Sequence, residues 1–276
     1  MKVLLRGIIK ALGKAGLIHI FFPVGTKIAK VLLPKEGMIS VGKYKMLIEP
    51  RKDLGLYFGY EGVEPGVISL LQKLVKAGDV FIDVGAYKGY YSLMASELVE
   101  GGGKVIAFEP EQRAFQVLVK NIELNELSNN IIAMNVALSD FDGESYFVES
   151  SMGGHFGSGS QTVKVRTIDS VVNQLNATPS MAKLDVEGAE FSVLKGGLNV
   201  LTHYHPKLLI EVHTTADFKL FDFLISLGYN ISLVDDEGEL LFLGVEEIKR
   251  KCIERRSTKY GTRMNQHVYC EKCDAK

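Results

Sequence analysis

The 276-residue sequence has no tryptophan, three cysteines and no surplus of basic residues, with 32 Lys and Arg against 33 Asp and Glu. The cysteines, Cys252, Cys270 and Cys273, are odd in number, which excludes the disulfide framework of a small secreted domain. The spacing of Cys270 and Cys273 suits a metal, but no second pair exists, so we interpret the cysteines as reduced thiols. The even charge balance lacks the signature of a nucleic-acid-binding protein, and we expect no nucleic-acid partner.

Residues 1–36 contain no acid before Glu36 and are predicted to form a basic amphipathic helical segment. Four of its bases recur at intervals of four residues: Lys2, Arg6, Lys10 and Lys14. Residues 2–24 could rest on an anionic membrane surface, or the helix could dock on the domain with its basic face in water. The apolar run 17–24 is far shorter than the roughly 20 residues of a membrane span. We therefore expect a cytoplasmic protein that could contact the inner membrane surface peripherally.

Residues 37–66 are predicted to form a small N-terminal cap with two short strands, at 38–41 and 45–48. From residue 67 to 276, apolar runs alternate with helical segments, which predicts one α/β domain built on a doubly wound, mainly parallel sheet. Its strands are predicted at 80–84, 104–108, 131–136, 182–186 and 208–212. Its helices are predicted at 65–77, 90–99, 112–125, 186–196 and 217–227. An antiparallel return closes the sheet, and the Gly/Ser-rich loop 150–160 is expected to be disordered or to fold over a substrate.

An apolar strand at 80–84 contains Asp83 and is followed by a turn with Gly85, Ala86 and Gly89. Glycine permits a tight turn and the close approach of a bound molecule. The pattern lacks the middle glycine of a dinucleotide-binding loop, and the carboxylate would repel a phosphate. A donor without phosphate that carries a positive charge fits better, which indicates S-adenosylmethionine rather than a nicotinamide dinucleotide.

The next predicted strand ends at Glu109-Pro110, a little over 20 residues after Gly85. In doubly wound folds a carboxylate at this point accepts hydrogen bonds from the two ribose hydroxyls. Together with Asp83, Glu109 therefore predicts a site for an adenosine cofactor. The alternative is a plain tight turn followed by a solvated strand end.

The fourth and fifth predicted strands end in a second group of ionisable residues at the same edge of the sheet. Its members are Lys183, Asp185, Glu187, Glu211 and His213. Glu187 and Glu190 could simply favour a helix N-terminus, an explanation that suffices for Glu190. It does not explain the other members, so we place the acceptor and the catalytic groups here.

Several blocks of the sequence resemble the FkbM family of S-adenosylmethionine-dependent methyltransferases. They are residues 81–86 with Gly89, 107–110, Asn121 and Asn125, 136–140 with Gly143, 167–170, 183–190 with 194–196, and 210–213. Tyr60 and Glu61 are similar to an upstream tyrosine–glutamate pair of that family. The family usually has Asn where this chain has Tyr87, so no side-chain role is carried over for that position.

The resemblance implies a Rossmann-like, seven-stranded class I methyltransferase sheet and O-methyl transfer to a hydroxyl of a glycan, a lipid-linked sugar or another small molecule. Asp83, Gly85, Ala86, Gly89, Glu109, Pro110, Ser139, Asp140 and Asp185 are then expected to bind the cofactor. Tyr60, Glu61, Glu187 and His213 are expected to contact the acceptor.

His213 is the first candidate for the base because its ordinary pKa lies near 6.5, with Asp185 second and with Glu211 and Lys183 beside them. Proximity alone could also suffice for methyl transfer. A divalent metal held by Asp185, Glu187, Glu211 and His213 is a less favoured alternative, and no metal ligand is assigned. Other hypotheses are a nicotinamide-dependent dehydrogenase, a protein or nucleic-acid methyltransferase, and a non-catalytic scaffold on the same fold.

Overall fold

The computed structural model describes residues 33–58, 64–148, 155–156, 161–213, 215–258 and 266–272. The strands are β1 Gly37–Val41, β2 Tyr44–Ile48, β3 Val80–Val84, β4 Lys104–Phe108, β5 Ile131–Met134, β6 Ala137–Leu138, β7 Gly143–Val148, β8 His155–Phe156, β9 Gln161–Arg166, β10 Met181–Leu184, β11 Lys207–Val212, β12 Tyr229–Val234, β13 Leu240–Leu241 and β14 Gln266–Lys272. The helices are α1 Leu54–Phe58, α2 Pro65–Leu74, α3 Tyr90–Leu98, α4 Gln112–Leu124, α5 Ile168–Leu175, α6 Glu190–Lys195, α7 Leu198–His203, α8 Lys219–Ser226 and α9 Val245–Thr258.

The main sheet has the strand order β13-β12-β14-β11-β10-β3-β4-β5. Strands β5, β4, β3, β10 and β11 are parallel, and β14 inserts antiparallel between β11 and β12. This confirms the doubly wound α/β sheet and its antiparallel closing strand. The sheet has an eighth strand because the two-residue β13 pairs with the edge strand β12.

Alternate side chains of the central strand β3 point to opposite faces of the sheet, as the pleat requires. Ile82 and Val84 belong to the hydrophobic cluster on one face, and Phe81 belongs to the cluster on the other. A strand covered on both faces has a nearly continuous apolar run. The only ionisable residue of this strand, Asp83, is therefore buried as well.

The β1–β2 hairpin packs against the main sheet, since Val41, Met46 and Ile48 share a hydrophobic cluster with Phe81. Asn121 of α4 fastens the hairpin by accepting a hydrogen bond from the Leu47 amide at 2.6 Å and donating to the Leu47 carbonyl at 3.1 Å. The predicted boundary between the cap and the domain, at residues 66 and 67, falls inside helix α2. That division, with its segments 1–36, 37–66 and 67–276, stays a prediction.

Several predicted elements differ from the structure. The strand predicted at 182–186 ends at Leu184, and the helix predicted at 65–77 ends at Leu74. The helix predicted at 186–196 begins at Glu190, because Glu187 and Gly188 have positive φ values of 55° and 105° that no α-helix accommodates. The strand predicted at 131–136 ends at Met134, and β6 pairs with β9 in a second, four-stranded sheet. The helix predicted at 217–227 starts with a 3₁₀ turn, Thr215–Phe218, followed by α8.

Some predictions fall outside the described residues: the basic amphipathic helix of residues 2–24, Tyr60, Glu61, Cys273 and most of the loop 150–160. Within that loop, β8 is described and pairs with β7. Cys252 and Cys270 are both buried in the hydrophobic interior. In the part of the chain that the structure describes, none of the helices has the length and apolarity needed to cross a bilayer.

Candidate active site

The turn after β3 depends on glycine at two positions. Gly85 has a φ of 83°, and a Cβ there would lie 1.9 Å from the backbone oxygen of Asp185. Gly89 has a φ of 95°, and its Cβ would lie 2.6 Å from Leu118 Cδ1. From the sequence, these glycines are explained by a tight turn and by the close approach of a bound molecule. The structure gives a further reason, because the turn packs directly on the end of β10 and on α4.

The side chains of the turn connect it to the N-terminal cap. Tyr87 has a φ of 50° and donates its hydroxyl to Asp53 Oδ1 at 2.7 Å. Lys88 is buried, and its Nζ lies 2.8 and 2.7 Å from the two carboxylate oxygens of Asp53 and 3.1 Å from Glu49 Oε2. Asn tolerates a left-handed backbone better than tyrosine does, which gives a physical reason for Asn at position 87 in the family that the sequence resembles.

Asp83 lies buried beneath the turn. Its Oδ2 accepts a hydrogen bond of 2.5 Å from Ser92 Oγ, while its Oδ1 has no hydrogen-bond partner among the described residues. Burial raises the pKa of Asp83, and the nearby charge of Lys183 and the Ser92 hydroxyl act against that rise. A buried carboxylate oxygen without a donor fits a cationic or N–H-bearing group of a bound molecule.

Glu109 stands at the tip of the neighbouring strand β4. Its Oε2 accepts from the Tyr87 amide and its Oε1 accepts from the Glu111 amide, each at 2.8 Å. Each oxygen keeps lone-pair capacity for a further donor, such as a ribose hydroxyl. Burial raises the pKa of Glu109 to about 7, although both amide bonds lower it. Asn135, which the sequence analysis missed, donates to the backbone oxygens of Glu109 at 2.8 Å and Pro110 at 3.1 Å.

Ser139 and Asp140, predicted to flank the adenine, follow β6. The Ser139 amide donates to the Arg166 carbonyl at 3.0 Å, which fixes this segment to the second sheet. Asp140 forms an ion pair of 2.6 Å with Lys195 at the end of α6, and this bond lowers the pKa of Asp140. Their role toward an adenine stays a prediction.

Lys183 is buried within β10, where its Cα pairs with that of Asp83 on β3. Its Nζ lies 2.9 Å from Asp185 Oδ2 and 4.5 Å from the centre of the Tyr91 ring. Burial alone would lower the pKa of Lys183, but the carboxylates of Asp185, Asp83 and Glu211 raise it. Burial would also raise the pKa of Asp185, but Lys183 and His213 together lower it. The pair is therefore charged at neutral pH.

His213 is buried and surrounded by carboxylates. Its Nδ1 lies 2.9 Å from Glu190 Oε1, which also accepts from the Val186 and Gly188 amides at 3.0 and 3.3 Å. Burial would lower the pKa of His213, but Asp185, Glu190 and Glu211 raise it to about 11. The interpretation that Glu190 only favours a helix start is too narrow, because this fully buried carboxylate also positions the imidazole.

The other imidazole nitrogen, His213 Nε2, faces a group of carboxylates at the carboxyl ends of β10 and β11. In a doubly wound fold this is where the ligand-binding crevice lies. His213 Nε2 lies 3.4 Å from Asp185 Oδ1 and 3.7 Å from both Glu187 Oε2 and Glu211 Oε1. On the far side of Glu211, Oε2 lies 3.7 Å from His267 Nε2, and His267 is in turn 3.3 Å from Glu64 Oε2. Burial and the neighbouring carboxylates of Asp185 and Glu64 raise the pKa of Glu211.

The structure therefore brings Lys183, Asp185, Glu187, Glu211 and His213 into one contiguous group, whereas Tyr60 and Glu61 lie outside the described residues. Three further residues join this group that were not selected from the sequence. These are Glu64, Glu190 and His267. Only the register of β14 against β11, which pairs Glu211 with His267, reveals the last of them.

A doubly wound sheet with an antiparallel strand beside its last parallel strand, a glycine turn after the first strand and an acid at the tip of the second defines the Rossmann-like class I methyltransferase fold. The model of the "Methyltransferase FkbM domain" matches residues 83–231. The chain belongs to this family of methyltransferases, whose methyl donor is S-adenosylmethionine.

Individual proteins agree with this assignment. Over 162 residues the chain is 32% identical to "Hexuronic acid methyltransferase AglP" of Haloferax volcanii, covering 56% of this chain and 65% of that protein. A crystal structure of methyltransferase FkbM from Methylobacillus flagellatus matches with a TM-score of 0.51 and 17% identity, over 78% of this chain and 49% of that chain. The chain thus spans about half to two thirds of the length of these relatives.

A shorter similarity connects the chain to a protein named for a different acceptor. Over 74 residues it is 36% identical to a tRNA(Phe) (4-demethylwyosine(37)-C(7)) aminocarboxypropyltransferase of Pyrococcus horikoshii. That match covers 27% of this chain and 26% of that protein.

Proposed function

We propose that this protein transfers a methyl group from S-adenosylmethionine to an oxygen atom, in the first place a hydroxyl, of a glycan, a lipid-linked sugar or another small molecule. The family supports methyl transfer, and the relative from Haloferax volcanii is named for a hexuronic acid. One observation carries the proposal. The buried carboxylates of Asp83 and Glu109, which suit an adenosine cofactor, lie at the same edge of the sheet as the acidic group around His213.

On the cofactor side, two carboxylates have oxygens to offer. Asp83 Oδ1 has no donor among the described residues and would accept from the amino-acid end of the cofactor. Glu109 would hold the ribose, with its carboxylate aligned by the Tyr87 and Glu111 amides. When bound, S-adenosylmethionine supplies a methyl group on a positively charged sulfur. Gly85, Ala86 and Gly89 would line its site, and Ser139 and Asp140 would border the adenine.

On the acceptor side, the hydroxyl must lose a proton as the methyl group arrives. Lys183 and His213 are both protonated at neutral pH, since His213 has a pKa of about 11, so neither takes that proton in this state. The candidates are then the carboxylates that face His213 Nε2, namely those of Asp185 and Glu211. His213 would hold these carboxylates in place, and Glu187 would contact the acceptor.

The charge of the crevice supports a small molecule rather than a nucleic acid. Asp185, Glu187 and Glu211 line it around His213, and phosphates would be repelled from such a surface. The similarity to the tRNA-directed protein of Pyrococcus horikoshii covers too little of the chain to favour RNA. Membrane contact through residues 2–24 stays a prediction.

The test is methyl transfer from radiolabelled S-adenosylmethionine to a panel of neutral sugars, hexuronic acids, lipid-linked glycans, tRNA and protein. We expect label in a glycan or lipid-linked fraction, and mild alkali then separates stable methyl ethers from labile methyl esters. Asp83→Asn should abolish the label, whereas the exposed Glu123→Gln on α4 should retain it. Label confined to tRNA or protein, or no cofactor binding by calorimetry, would overturn the proposal.

A further inference from the structure

We propose that Asp185, Glu211 and His213 form a site for one divalent cation of the Mn²⁺ type on the acceptor side of the crevice. The inference rests on the proposed function for its role, but the site itself can be tested without any methyl transfer. Three ligand atoms of these residues, two carboxylate oxygens and one imidazole nitrogen, lie within 4.8 Å of one another.

The imidazole nitrogen is the observation that points to a ligand. His213 is 1% exposed, and its Nε2 forms no hydrogen bond, although it lies 3.4 Å from Asp185 Oδ1 and 3.7 Å from Glu211 Oε1. Ligands at about 2.1 Å from one octahedral ion lie about 3 Å apart, so a small closure of this group would surround a cation.

Two of the three ligands have their other polar atom held at hydrogen-bond distance by a neighbour. Glu190 holds His213 Nδ1 at 2.9 Å, which orients Nε2 toward the crevice. Lys183 holds Asp185 Oδ2 at 2.9 Å and leaves Oδ1 toward His213.

Glu211 has a looser version of this arrangement, since its Oε2 faces His267 at the ion-pair distance of 3.7 Å while its Oε1 faces His213. Supporting contacts that fix the far atom of each ligand are characteristic of protein metal sites. In an ordinary surface cluster of acids, we do not expect one atom of each side chain to face the cluster while the other contacts a supporting neighbour.

The charge balance of the surroundings also favours a cation. Around His213 stand four carboxylates, those of Asp185, Glu187, Glu190 and Glu211, and Lys183 pairs with Asp185. Lys183 and the protonated His213 balance only two of these four carboxylates. A divalent ion that displaces the proton from His213 Nε2 would add one net positive charge.

A mixed set of two carboxylates and one imidazole suits Mn²⁺ and similar ions, and it leaves coordination positions for the acceptor. An ion in this place would bind the acceptor oxygen and stabilise the oxygen anion as its proton leaves to a neighbouring carboxylate or to water. It would also attract an acidic sugar into a crevice whose own carboxylates repel it.

The test uses Mn²⁺ alone, added to the full chain after treatment with a chelator and dialysis. The electron paramagnetic resonance signal of free Mn²⁺ reports the bound fraction. We expect saturation at one ion per chain, and at least a tenfold weaker affinity in His213→Ala and in Glu211→Gln. The matched control is Glu123→Gln, which removes one exposed carboxylate and should bind Mn²⁺ as the unmodified chain does.

Absence of saturable binding to the unmodified chain, or equal binding by His213→Ala, would overturn the site. Circular dichroism checks that the variants fold, and His213→Gln replaces His213→Ala if the latter does not. Saturable Mn²⁺ binding without any methyl transfer would count against the proposed function and leave the site standing. Methyl transfer at full rate by a chain that binds no Mn²⁺ would overturn the metal site and leave the proposed function standing.

Discussion

Lys88 and Asp53 form a buried ion pair in which Lys88 Nζ lies 2.8 and 2.7 Å from the two carboxylate oxygens. Lys88 belongs to the glycine turn that follows β3, whereas Asp53 belongs to the segment after the N-terminal hairpin. Tyr87 adds a second bond to the same carboxylate at 2.7 Å. The conformation of the proposed cofactor turn therefore depends on a residue more than 30 positions earlier in the chain.

Asp53→Ala is expected to destabilise the protein and to weaken cofactor binding. It leaves the Lys88 ammonium buried with Glu49 as its remaining partner, and breaking a buried pair costs about 3–5 kcal/mol. Urea unfolding and calorimetry with S-adenosylmethionine measure the two effects. Lys52→Ala, one residue earlier and exposed, is the control and should change the unfolding free energy by no more than about 0.5 kcal/mol. Equal effects of the two variants would disprove the connection.

Gly85→Ala and Gly78→Ala separate backbone strain from steric clash. The two glycines have nearly the same φ, 83° and 87°, but a Cβ at Gly85 would lie 1.9 Å from a backbone oxygen, while a Cβ at Gly78 meets nothing within 4 Å. Gly78→Ala should cost about 1–2 kcal/mol, the penalty of a left-handed backbone. Gly85→Ala should cost clearly more and should abolish cofactor binding. Similar melting temperatures for the two variants would contradict the close approach of Gly85 and Asp185.

Cofactor affinity is expected to depend on pH through Glu109. The ribose hydroxyls would donate to the ionised carboxylate, so binding releases a proton wherever the free protein holds one. Since burial raises the pKa of Glu109 to about 7, affinity should increase as pH rises toward 7 and level off above it.

Calorimetry between pH 6 and pH 8 follows this dependence. Glu109→Gln should bind about 1–3 kcal/mol more weakly and lose the pH dependence over this range. A variant that retains the slope would assign the titration to another group and remove Glu109 from the ribose role.

Glu190→Ala is expected to lower the unfolding free energy by about 3 kcal/mol, because it leaves buried His213 and two backbone amides without their acceptor. Glu190→Gln keeps an oxygen acceptor and should lose less. Urea unfolding of both, with the exposed Glu123→Ala as control, gives the comparison. If Glu190→Ala is as stable as Glu123→Ala, the buried carboxylate does not position the imidazole.

Much of the sheet follows from local sequence, because a strand covered on both faces is mostly apolar, as 80–84 and 104–108 are apart from Asp83 and Lys104. The turn 186–189 shows where such reasoning ends. Gly188 is a poor helix former, but its neighbours Glu187 and Ala189 are good ones. The buried carboxylate of Glu190 accepts hydrogen bonds from the Val186 and Gly188 amides and holds the segment out of the helix. A contact between side chain and backbone of this kind leaves no periodic pattern in the sequence.

In the candidate site too, some residues are recognisable from the sequence and others are placed only by long-range contacts. Asp83, Glu109, Asp185 and His213 stand at strand ends and are recognisable by position. His267 reaches the site only through long-range pairing of β14 with β11, and Asp53 only through the fold of the hairpin. Burial also changes what a residue can do: His213, chosen for an ordinary pKa near 6.5, has one of about 11 in its surroundings.

The insertion of β14 between β11 and β12 has a consequence for synthesis on the ribosome. Strand β12 leaves the exit tunnel before β14, yet it cannot join the main sheet until the later strand arrives to bridge it to β11. The same late strand carries His267 to the acidic group. A nascent chain therefore acquires the complete crevice only in the final step of folding, and unfinished chains present a split sheet to chaperones and proteases.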